Sequence, residues 1–184
     1  MRVAVFLVVV FGFAHAAGPG GAADFRLEFY ADIRGLAEKG EFDEAERLVE
    51  SAFHTASDAP HSDRIALLDT LAELQIASGK FSDAGETYWN KAAILTRTSG
   101  AEFPDLGAVY VASGRAYVRA GFAQRAVEAF EAALQVDRRY LKCDGDALAE
   151  LYRDLAQAYG AAGQSDAAER ANKLASDSET RCTL

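Results

Sequence analysis

The sequence predicts an all-α fold, a solenoid of about four helix-turn-helix units. Three observations carry that expectation. A Gly is followed five residues later by an Ala at Gly40/Ala45, Gly79/Ala84, Gly121/Ala126 and Gly163/Ala168, and the glycines stand 39, 42 and 42 residues apart. Apolar residues recur three or four positions apart on both sides of each Gly, the spacing of one buried helical stripe. The last segment then loses its large apolar residues, as the outer face of a stack should.

Taken in order, the chain opens with Met1 and Arg2, an apolar run from Val3 to Phe13, and Ala14-His15-Ala16. This is the pattern of a secretory signal peptide cut after Ala16, with an uncleaved short anchor as the alternative. The run is too short for the roughly 20 apolar residues that span a bilayer. Residues 17–23 are expected to be a flexible N-terminus, and the repeats to occupy 24–60, 61–103, 104–144 and 145–177, with a tail over 178–184. The implied destination is the periplasm or the exterior, without membrane insertion after cleavage.

Ahead of the glycines, the first helices carry Phe29-Ile33-Leu36, Leu68-Leu71-Ala72, Tyr110-Gly114-Tyr117 and Tyr152-Leu155-Ala156-Tyr159. After them, the second helices show Ala45-Val49-Ala52, Ala84-Tyr88, Ala126-Phe130-Ala133 and Ala168 followed by Ala175. A Gly ends the first helix in the left-handed conformation, and a small Ala lets the second helix approach it closely. The first helix is unusually apolar, with Phe25, Leu27, Phe29, Tyr30, Ile33 and Leu36, which suits either packing on the second hairpin or self-association through Leu27 and Tyr30. The last helix, expected from Ser165 to about Asp177, has Leu174 as its one large apolar residue, so Asn172 faces solvent on a capping helix.

These residues resemble the tetratricopeptide repeat family. Tyr110, Gly114, Tyr117, Gly121, Ala126, Phe130 and Ala133 follow its order of large and small packing residues, and Gly40 to Ala45 and Gly79 to Ala84 are similar to its turn. The longer unit, entered through Phe103-Pro104-Asp105, is similar to the 42-residue variant of kinesin light chains. The resemblance implies a right-handed superhelical α-solenoid that binds a protein or peptide partner along a concave wall of first helices. Departures are Gln75 in place of a large residue, Lys91 in place of Ala, and no Pro after the second helices. Lys91 is expected to lay its stem over the surface and keep its charge wet.

Opposite the buried stripes, helical spacing places Tyr30, Arg34 and Glu38 in unit one, Asp69 and Glu73 in unit two, Val111, Arg115 and Arg119 in unit three, and Arg153 and Gln157 in unit four. Arg115, Arg119 and Arg153 would share a basic patch able to take a carboxylate, and Arg115 and Arg119 have no acid at intrahelical pairing distance. The other reading is a solvated helix face. Removing Arg2 takes the formal charge from −9 to −10, which argues against nucleic acid as a ligand.

Cys143 and Cys182 flank the last hairpin, whose topology brings its two ends together. In an oxidising compartment they form a disulfide worth about 3 to 4 kcal/mol in the chain-entropy model, with free thiols as the alternative. Two thiols alone fall short of a metal's four ligands. His54 and His61, near Asp58 and Asp63, fit ordinary linker chemistry beside Pro60, with Ser62 or Asp63 as the cap of the next helix. Trp89 is expected between repeats or on the convex face. The chain offers no catalytic constellation and implies no cofactor.

Overall fold

A computed structural model describes residues 22–56, 60–99, 105–140 and 145–181. These form eight helices in chain order: α1 (Ala22–Lys39), α2 (Phe42–Thr55), α3 (His61–Ala77), α4 (Phe81–Ser99), α5 (Leu106–Ala120), α6 (Ala123–Tyr140), α7 (Gly145–Ala161) and α8 (Ser165–Arg181). No strand occurs among the described residues. Each helix packs on the one before and the one after it, and α5 also meets α7 directly. Such nearest-neighbour packing of repeated hairpins is an α-solenoid. The signal segment 1–16, Phe103, Pro104, Cys143 and Cys182 lie outside the described residues.

The four hairpin turns share one backbone design. Gly40, Gly79, Gly121 and Gly163 have φ of 80°, 82°, 79° and 75°. At Gly121, where the added Cβ of any other residue would strain a left-handed backbone, the chain reverses so that the Phe122 amide donates to the Tyr117 carbonyl at 2.9 Å. The residue after each of the other glycines does the same, to Leu36, Gln75 and Tyr159. The amides of Ala45, Ala84, Ala126 and Ala168 then donate to the carbonyls of Glu41, Lys80, Phe122 and Gln164, opening each second helix.

The apolar stripes close three core clusters. Ile33, Val49, Leu67, Leu71 and Leu74 join units one and two; Leu95, Leu106, Val109 and Val136 join two and three; Tyr117, Phe130, Tyr152 and Leu155 join three and four. Burying each such side chain contributes about 1.5 to 3 kcal/mol. Close approach depends on two further glycines. A Cβ at Gly114 would lie 2.6 Å from the Phe130 ring, and one at Gly85 would lie 2.8 Å from the Tyr117 ring. Ala45, Ala84 and Ala126 are fully enclosed, while Ala168 is partly exposed, with no described helix packed on the outer side of α8. Ala171 and Ala175 are the buried positions of α8, and Asn172 and Leu174 face solvent.

Three expectations need correction. Helix α3 starts at His61 with Pro60 as its N-cap and no side-chain cap bond, so Ser62 and Asp63 lie inside its first turn. Helix α8 continues through Arg181, past the expected end near residue 177. Lys91 does not keep a wet charge: its side chain is 14% exposed and its Nζ bonds the Asp69 carboxylate across the hairpin. An ammonium this enclosed needs its counterion, and Asp69 supplies it.

Candidate functional site: the first-helix wall

Residues one repeat length apart occupy the same place in successive units. Tyr30, Asp69, Val111 and Arg153 form one such row along α1, α3, α5 and α7; Arg34, Glu73, Arg115 and Gln157 form a second. Both rows run along the first helices, with Tyr30 and Val111 packing partly against the core clusters. Arg34, Arg115, Arg153 and Gln157 are exposed, and Tyr30, Asp69, Glu73 and Val111 are half-buried.

The basic half of this wall differs from the sequence expectation. Arg115 does not lack acids: its Nε donates to Asp154 Oδ2 at 2.8 Å and an Nη to Glu150 Oε1 at 2.5 Å, both on α7. The two carboxylates hold the Arg115 proton more firmly than usual, against the opposing effect of burial. Arg119 reaches the other way, with its guanidinium carbon 3.8 Å from the centre of the Phe81 ring at the start of α4. The three arginines are therefore not one bare positive patch. Arg115 ties unit three to unit four, Arg119 leans on unit two, and Arg153 is exposed on α7.

The acidic half centres on unit two. Burial raises the Glu73 carboxyl above its ordinary range; Asp69 pushes the same way and Lys91 opposes it. Burial, then the charges of Asp69 and Glu73, hold the Tyr88 hydroxyl up to about 12. Glu73 makes no hydrogen bond among the described residues. Tyr30 packs edge-on against Phe29 at 5.3 Å. Trp89 meets Tyr110 edge-on at 5.3 Å, at the joint between units two and three.

Sequence reasoning missed a polar joint between units one and two. Lys80 Nζ bonds Asp43 at 2.6 Å and Glu46 at 3.0 Å, and Ser78 Oγ donates to Glu46 at 3.1 Å. Thr87 Oγ1 donates to Gln75 Oε1 at 2.8 Å, so the residue standing where a large apolar one was expected is buried and bonded. The absence of bulk at Gln75 was the available signal. His54 and His61 belong to no group of three or more potential metal ligands among the described residues. No described helix is long and apolar enough to cross a membrane.

The class these features define is an all-helical repeat scaffold of stacked hairpins. Residues 105–178, spanning α5 to α8, match the family model described as Tetratricopeptide repeat. The chain is similar in structure to a protein of Podosopora anserina described as a kinesin light chain with nearly identical TPR-like repeats, at 26% identity, covering 83% of this chain and 75% of that one with a TM-score of 0.61. It is also similar to BtubC (BKLC) from P. vanneervenii, at 21% identity, covering 84% of this chain and 63% of that one with a TM-score of 0.63; that likeness concerns the fold alone. No curated protein matches the sequence significantly. TPR-like scaffolds of this kind generally mediate protein binding without catalysis.

Proposed function

We propose that the protein is an exported, non-catalytic scaffold that holds an extended segment of a protein partner along its first-helix wall. One observation carries the reading. Arg119 is exposed, sits with its guanidinium carbon over the Phe81 ring, and takes part in no ion pair among the described residues. A guanidinium anchored on a ring and left without an ion pair keeps its N–H donors available and has less rotamer entropy to lose, which suits paired recognition of a carboxylate. Arg153 and Gln157 extend the same wall, and Tyr30, Arg34 and Glu73 continue it through units one and two. Glu73, a half-buried carboxylate, would receive a basic side chain of the same partner.

Capture of a partner from envelope extract by the immobilised chain is expected to fail after Arg119→Glu while helicity by circular dichroism is unchanged. Capture that survives this reversal removes the groove reading. A self-associating accessory role instead requires a dimer in solution that dissociates when Leu27 and Tyr30 are made polar. Export rests on residues 1–16 and predicts a mature N-terminus at Ala17. In that compartment the thiols of Cys143 and Cys182 are expected to resist alkylation until reduced.

A further inference from the structure

A cavity of about 480 Å³ opens between α2 and α4, over α3. It lies on the far side of α3 from the first-helix wall: Leu71 and Gln75 line it, while Asp69 and Glu73 stand two positions away, about 200° around the helix. Its origin is a single departure from the repeat. Where unit two has Gln75, units one, three and four have Leu36, Tyr117 and Tyr159. In unit three that ring fills the joint by packing over Gly85. At the equivalent place between units one and two stand Glu46 and Gln75, and the space stays open.

The floor is made by Gln75 and the apolar Leu71 of α3. Gln75 is 5% exposed; its Oε1 accepts from Thr87, and its amide Nε2 donates to no group among the described residues. Glu46 is already matched by Lys80 and Ser78. Around the rim, Glu50, Asp83 and Glu86 are exposed and take part in no ion pair or hydrogen bond among the described residues. The cations at the cavity are already paired, Lys80 with Asp43 and Glu46 and Arg47 with Glu44. The cavity thus offers an open amide donor at its floor and unmatched negative charge at its rim.

We propose that this cavity is a second binding site, separate from the first-helix wall, which takes an arginine side chain of a polypeptide together with its main-chain carbonyl. The guanidinium fork meets the rim carboxylates in paired bonds, and the carbonyl accepts the Gln75 amide proton. The volume lies within the range of pockets that enclose small ligands. A bare alkylammonium satisfies the rim and leaves the Gln75 donor unmatched, which distinguishes it from the peptide unit.

The test is titration of the chain with N-acetylarginine amide, followed by NMR at the Gln75 side-chain amide. A saturable shift is expected there, with affinity falling about tenfold or more in the Asp83→Asn, Glu86→Gln double variant. Both substitutions are at exposed positions and leave the core packing intact, so the result does not depend on Gln75 tolerating replacement. Arg119→Glu is expected to leave this binding unchanged, which separates it from the groove reading. No saturable shift at Gln75, full affinity in the double variant, or equal affinity for spermidine each overturns the proposal.

Discussion

At the scale of single residues, size decides more than polarity. Ala126 has no exposed surface, and Gly114 sits against Phe130 with less room than a methyl group needs. Ala126→Leu is expected to cost about 1 to 3 kcal/mol in urea unfolding by overpacking the third hairpin. A neutral result would place Ala126 outside the interface. Charge matters where water is excluded, as at Glu73. Its carboxyl holds a proton more readily folded than unfolded, so a contribution to stability fully present below the unfolded value is lost as pH rises through the higher folded one. Glu73→Gln is therefore expected to raise Tm at pH 7 relative to the parent, with the gain disappearing at pH values below the carboxylate range. An identical difference at both pH values would show that packing, not ionisation, sets the effect.

At the scale of elements, the turns were legible in the sequence and the lateral pairings were not. Gly121 and its three equivalents announce themselves because a left-handed backbone selects Gly and because an Ala follows at a fixed distance. Arg115 announces nothing: Glu150 and Asp154 lie on another helix, in the next unit, and become neighbours only once the repeat register is laid side by side. The Lys91 to Asp69 bond was closer to reach, since both belong to one hairpin and Lys91 departs from the apolar pattern. Arg115→Ala is expected to cost about 0.2 to 1 kcal/mol for each exposed ion pair lost, read by denaturant midpoint. Lys80→Ala is expected to cost more, about 1 to 3 kcal/mol, because it leaves the Glu46 carboxylate enclosed with Ser78 alone. Equal costs for the two variants would show that enclosure of Glu46 has no energetic weight. Lys80 also holds the Asp43 carboxyl below its usual range, a contribution present above the unfolded value and lost as pH falls through the folded one.

Across the whole molecule, stability is a sum over units and the joints between them. The joints differ in chemistry. Tyr117 over Gly85 closes units two and three, and Val127 and Tyr159 belong to one core cluster across units three and four. Units one and two meet instead through Glu46, Gln75, Lys80 and Thr87 around an open cavity. Amide hydrogen exchange is expected to show α1 and α2 opening as a group at lower free energy than α5 to α8. Uniform protection along the chain would contradict this. The sequence displayed the number and order of units because the repeat is written in backbone-determining residues. It concealed the weak joint because Gln75 looked like a defect within one helix, and only its placement opposite Glu46 makes it a property of two.

The recurring turn has an evolutionary consequence. Since each reversal is fastened by main-chain amides and carbonyls, and asks of its side chains little beyond one glycine and one small residue, a module can be duplicated or lost without breaking its connection to the next. A tandem copy of the third unit at its full 42-residue step would set Val127 of one copy beneath Tyr117 of the following one, the place Tyr159 holds now, so the array is able to lengthen from its third module.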